Sequence, residues 1–158
     1  MVAVPPKPAN SNQPEPEASD TPRISSVLAR AEAAVADLAK DYAKWALADV
    51  AKARAALSAA ADDRADRPKH IEALFRVAHD LKGQGASFGF PLITKLGHSL
   101  CTLTRDRARQ YQDKHLDLVQ SHLEAIELVL TKGIKGEGGK VGTELVAKLE
   151  RRVAEIAG

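Results

Sequence analysis

Apolar residues recur at steps of three and four along most of this chain, a spacing that predicts helices rather than strands. The stripe Ile71, Leu74, Ala78, Leu81, Gly85 and Phe88 predicts a helix opened by Pro68 and ending near Gly89. Upstream, Thr21-Pro22 reads as a helix start, followed by Ile24, Val27, Leu28, Ala31, Val35 and Leu38. A second stripe holds Tyr42, Trp45, Ala46, Val50, Ala53, Leu57 and Ala60. The phase shifts near Lys40-Asp41, which predicts a break there, with one long curved helix over residues 24–61 as the competing reading. Asp62 to Arg67 is a charged turn. Pro91 starts another helix, with Leu92, Ile93, Leu96, Leu100, Leu103 and Arg107 inward. Leu116, Val119, Leu123, Ile126 and Leu130 mark the next, over residues 113–131. A flexible loop is expected from Gly133 to Gly139, then a last helix from Gly142 to Ala157 carrying Leu145, Val146, Leu149, Val153 and Ile156. The expected fold is all-α: an antiparallel four-helix bundle with one or two additional helices.

Composition refines this picture. Residues 1–22 hold most of the 8 prolines and read as a disordered Pro-rich tail, leaving residues 23–158 for the bundle. Pro5-Pro6-Lys7-Pro8 only weakly matches a Pro-rich ligand. Apolar residues make up 44% and aromatics 4%, so helices should pack through small side chains, with Trp45 in the core. A peptide-binding role is the rival reading for Trp45. A net charge of +2 with both signs mixed is too balanced for a dedicated nucleic-acid binder. The single cysteine excludes an internal disulfide and suits a reducing, cytoplasmic setting. No apolar run approaches a membrane span, and no signal-peptide core is visible.

The chemistry concentrates around His79. At about 100° per residue this histidine falls off the apolar stripe, on a flank shared with Phe75, Lys82, Gly83 and Ala86. Lys82 and Gly83 follow at three and four residues, so both neighbour the imidazole. Glycine costs about 1 kcal/mol relative to alanine inside a helix, yet Gly83 and Gly85 both occur here. Broken local rules gather at functional sites. A neutral imidazole is a good nucleophile near neutral pH. Lys82 adds a compact charge suited to phosphoryl oxygens. Gly83 leaves room for a bulky partner. Together these residues suit phosphoryl carriage.

The run His79-Asp80-Leu81-Lys82-Gly83, followed by Gly89, resembles the histidine-containing phosphotransfer (HPt) domain family. The likeness covers roughly residues 42–131, with the motif confined to residues 79–89. It implies a bundle that takes a phosphoryl group from one receiver-domain aspartate and passes it to another. His79 would be the phosphorylated residue, Lys82 its charge partner and Gly83 the clearance, with Phe75, Arg76 and Ala86 in the docking surface. The implied partners are response-regulator receiver domains and a hybrid histidine kinase. Magnesium belongs to the receiver; the chain itself is expected to need no cofactor, bind no ATP and act as a monomeric carrier. Some family members orient the imidazole with a polar side chain on the next helix. The corresponding position here is near Cys101, a poor hydrogen-bonding substitute.

Other candidates carry less. His70, His98, His115 and His122 lack the paired spacing of zinc ligands and read as ordinary solvated histidines. Cys101 reads as a buried inert thiol. Gly133, Gly138, Gly139 and Lys140 imitate a phosphate-binding loop in composition, without the preceding strand that motif requires. Lys69, Arg76, Lys82, Lys95 and Arg105 could form a basic rim around His79 that steers an acidic receiver pocket. The rival functions are a non-catalytic helical adaptor working through the His79 face and a small metal-dependent helical enzyme. An adaptor needs an exposed apolar patch and an enzyme needs a pocket.

Overall fold

The computed structural model describes the backbone of residues 16–157 and the side chains of residues 22–156. Five α-helices follow in order: α1 (Pro16–Asp62), α2 (Arg67–Gln84), α3 (Pro91–Thr104), α4 (Asp113–Lys132) and α5 (Gly139–Ala157). A short 3-10 turn, Ala86–Phe88, separates α2 from α3. The chain is an all-α bundle. Among the described residues no helix is long and apolar enough to cross a membrane.

The expected break at Lys40-Asp41 does not occur, because α1 runs unbroken from Pro16 to Asp62. Neither glycine nor proline interrupts residues 23–62, and alanine, the best helix former, fills many of its positions. The apparent phase shift comes from counting Leu38 and Trp45, both exposed; without them Leu28, Ala31, Val35, Ala39, Tyr42 and Ala46 follow at steps of three and four. Ile24, Val27, Leu28 and Val35 are exposed, and burial begins only at Ala39. The helix also starts ahead of the expected Thr21-Pro22 cap, with Pro22 inside it. Of the tail expected over residues 1–22, residues 1–15 lie outside the described residues.

Two compact units divide at Asp37 and Leu38. The described part of the first is the N-terminal stretch of α1. The second holds the rest of α1 and α2 to α5. Its core gathers Tyr42, Ala46, Val50 and Ala53 with Leu74, Ala78, Leu81, Ile93, Leu96, Leu100, Leu123 and Ile126. Helix α3 is central, packing on α2, α4 and α5. Its buried set, from Leu92 to Thr104, takes in Gly97, Ser99 and Cys101 as well as the leucines. Arg107, expected on its inward side, lies past the helix end and is exposed.

Trp45 is not core: it is 58% exposed, because Tyr42 and Ala46 occupy the inward positions on either side of it. Its indole stands edge-on to Phe88, with centroids 6.4 Å apart, while Tyr42 stacks on Phe88 at 4.8 Å. Burial raises the Tyr42 hydroxyl to about 12, with the Asp49 charge adding to the effect. The glycine loop after α4 is tied down rather than flexible. Gly133 ends α4 at φ 63°, Gly136 N donates to Gly89 O at 3.3 Å, and Lys95 pairs with Glu137. The α4–α5 connection is therefore joined to the turn that follows α2.

Candidate functional site

Helix α2 buries Ile71, Leu74, Ala78 and Leu81 and turns its opposite side outward. On that outer side His79, Lys82 and Gly83 are exposed, as are Arg76 one turn before and Ala86 in the following 3-10 turn. Phe75 is half-buried; its ring centroid lies 6.0 Å from the imidazole at an angle of 40°. The six positions expected at the site thus share one continuous strip of surface. Among the described residues the His79 ring makes no hydrogen bond.

The glycines around this strip have different physical reasons. A Cβ added at Gly83 would meet nothing within 4 Å, so this turn is open to solvent. Gly85 is the reverse: a Cβ there would stand 2.9 Å from Phe90 O, Thr94 N and Ile93 Cβ. It is glycine because the chain folds back on itself at that point. Gly89 has φ 89°, a left-handed conformation that glycine adopts without the steric cost of a side chain. Thr94 Oγ1 accepts from Ala86 N at 2.8 Å, which satisfies a backbone donor at the end of α2.

Sequence reasoning passed over Gly97. A Cβ at this α3 position would lie 2.7 Å from Lys82 N and 3.1 Å from Ala78 O. The missing side chain lets α3 press directly on the α2 backbone beneath His79. The available signal was a glycine inside a helix at a buried position, where alanine has the better propensity. Cys101, one turn further along α3, is buried. Burial raises its thiol above the ordinary value, with Lys82 and Arg105 pulling the other way. It is a packed neutral thiol, in line with its reading as inert.

The basic rim is partly neutralised. Arg76 Nη2 donates to Glu72 Oε2 at 2.6 Å, Arg107 lies 3.6 Å from the same carboxylate, and Lys95 is held by Glu137. Among the described residues Lys69, Lys82 and Arg105 have no ion-pair partner. A cleft of about 220 Å³ opens along the first half of α2, lined by Ile71, Glu72, Phe75, Thr104 and Arg105 among others. His79 does not line it.

Two histidines expected in solvent are buried instead. His122 Nδ1 donates to Leu118 O at 2.7 Å, so its Nε2 accepts from Ser99 Oγ at 2.8 Å. His115 Nδ1 accepts from Gln112 N at 2.9 Å and completes the cap of α4. Burial lowers the pKa of both rings. His98 is exposed and His70 half-buried, 3.7 Å from Asp63. Among the described residues no group of three or more His, Cys, Asp or Glu side chains gathers as a metal site.

The model of one protein family, the Hpt domain, matches residues 37–128. No match was found among curated proteins or among solved structures. The matched stretch opens beside the boundary between the two compact units and contains the whole His79 strip. An all-α bundle, an outward histidine with lysine and open glycine one turn along, and the family match over most of that bundle agree. The chain belongs to the Hpt domain family, whose role is phosphotransfer in two-component signalling.

Proposed function

We propose that this protein is a phosphorelay intermediate, with His79 taking a phosphoryl group from a receiver-domain aspartate and yielding it to the aspartate of a second receiver. The observation that carries this reading is the open turn at Gly83 next to an exposed His79. A receiver can reach the imidazole without displacing a side chain at that position. The lone-pair nitrogen attacks phosphorus, an N–P bond forms, and the P–O bond breaks with its electrons leaving on the aspartate carboxylate. Lys82 stands one turn along and stabilises the charge on the transferring oxygens. Phe75, Arg76 and Ala86 supply docking surface around the ring. The reverse attack by a second aspartate empties the site. Magnesium for both steps resides in the receivers.

The cleft along α2 does not take in His79, which favours a carrier over an enzyme that encloses its substrate. The adaptor reading draws less support here, since Phe75 is the one large apolar side chain among the neighbours named. The test is incubation of the full chain with a phosphorylated receiver. The wild-type chain gains acid-labile, base-stable label and the receiver loses it. His79→Gln remains folded, because the residue is exposed, and gains none. Labelling of His79→Gln at the wild-type rate overturns the assignment.

A further inference from the structure

The cleft of about 220 Å³ beside α2 lies between the first half of that helix and the segment from the end of α3 to Tyr111. Ile71, Phe75 and Tyr111 give it apolar walls, two of them aromatic rings. Its polar groups can be taken one by one. The Thr104 hydroxyl donates to Leu100 O at 2.8 Å, and the Tyr111 hydroxyl to Asp106 O at 3.0 Å. The Glu72 carboxylate holds Arg76 and, at 3.6 Å, Arg107. Asp106 Oδ1 accepts from Ala108 N at 3.0 Å, and its Oδ2 lies 3.9 Å from Arg109. Each hydroxyl and carboxylate of the lining thus has a partner within the chain. What remains are donors. Among the described residues, the Lys69 and Arg105 side chains, both exposed at the rim, have no hydrogen-bond or ion-pair partner.

We propose that this cleft binds a small organic anion, an aromatic carboxylate, with its ring against Ile71, Phe75 and Tyr111 and its carboxylate at Arg105 and Lys69. A neutral apolar molecule would leave both cations unanswered, and an inorganic anion would leave the walls wet. A carboxylate suits the Arg105 guanidinium, whose fork can donate to both of its oxygens. The cleft is smaller than the roughly 300–1,000 Å³ of drug-sized sites, so the ligand is compact, with one or two rings. Its position matters because Phe75 is shared. The same ring that walls the cleft has its centroid 6.0 Å from that of His79, which lies outside the lining. A bound ligand therefore alters the surroundings of the imidazole without touching it. Binding does not depend on whether His79 carries a phosphoryl group.

Titration of the full chain with cinnamate and with indole-3-acetate, followed by calorimetry and by NMR, tests this. At least one acid should bind saturably at one site per chain, and its amide should bind about tenfold more weakly. Acetate, which lacks the ring, should not bind at the same concentrations. Saturation should shift the Phe75 ring resonances and, in step with them, the His79 Cε1–H resonance. Arg105→Gln combined with Lys69→Gln should keep the helicity of the wild type, since both side chains are exposed, and should abolish the preference for acid over amide. Lys114→Gln, an exposed cation outside this cleft, should bind like wild type. Absence of binding by both acids at millimolar concentration overturns the proposal. So does an amide that binds as well as its acid, an affinity indifferent to Arg105→Gln and Lys69→Gln, or a His79 resonance that stays fixed at saturation.

Discussion

Gly97 of α3 lies so close to Lys82 of α2 that a Cβ on it would stand 2.7 Å from the Lys82 backbone nitrogen. The helix that presents His79 is therefore backed by another helix at near backbone-to-backbone contact. Small changes on α3 at this point displace the turn that carries the lysine.

Gly97 and Gly83 should consequently respond to alanine with opposite signs. Gly97→Ala forces two backbones apart and should destabilise by about 1–3 kcal/mol, as overpacking does in a close-fitted core. Gly83→Ala meets open space and should stabilise by up to about 1 kcal/mol through helix propensity. Thermal melts of the two variants check this. Under the relay reading, Gly83→Ala slows phosphotransfer while raising the melting temperature, and Gly83→Gln slows transfer further.

Arg67 should prove indispensable to the bundle. It is buried, its Nε donates to Ala60 O at 2.7 Å, and its Nη1 donates to Tyr111 O at 2.8 Å. One guanidinium joins the end of α1 to the segment before α4. Arg67→Met strips both carbonyls of their donor and should cost about 2–4 kcal/mol, since each buried unsatisfied group costs about 1–3. Arg67→Lys should recover only part of this loss, because an ammonium lacks the rigid fork. Urea titrations of the three proteins give the comparison.

His122 should make stability depend on pH. Its folded pKa lies below the ordinary value of 6.5 because burial disfavours the charged ring. As pH falls below that value the unfolded chain binds a proton that the folded chain resists. The stability contribution is therefore full above the unfolded pKa and is lost as pH falls through the folded one. His115 shifts the same way, though burial there is joined by Arg109 and Lys114. Unfolding midpoints should drop between neutral and mildly acid pH, and His122→Asn should flatten that drop. An equal slope in the variant would remove His122 as its source.

Much of this fold can be read from spacing, and the exceptions share a cause. The α2 stripe of Ile71, Leu74, Ala78 and Leu81 is buried as expected, because one face meets one core. In α4 the stripe read from the sequence was half the buried surface. His115, Leu118, His122, Ala125 and Val129 form a second 3-4 series beside it, hidden because two members are histidines. Trp45 misled through its size, since spacing places a residue on a face and does not say how deep that face sits. The false break near Lys40-Asp41 has the same source: Leu38 and Trp45, both exposed, were read into the stripes, although Val35, Ala39, Tyr42 and Ala46 continue one phase. At the site, the flank of His79 was legible from helix geometry alone. The contact beneath it was not, because the approach of Gly97 to Lys82 depends on the distance between two helices.

Locating the phosphoryl group on the charged chain tests the role of His79 most directly. The full chain would be charged by a phosphorylated receiver, digested under alkaline conditions that preserve phosphohistidine, and mapped by mass spectrometry. Three of the 5 histidines have solvent access, namely His70, His79 and His98, so the experiment is a competition among real alternatives. The expected result is modification on His79 alone. Modification on His98 or His70 with His79 unmodified, or an unmodified chain beside a fully discharged receiver, would contradict it.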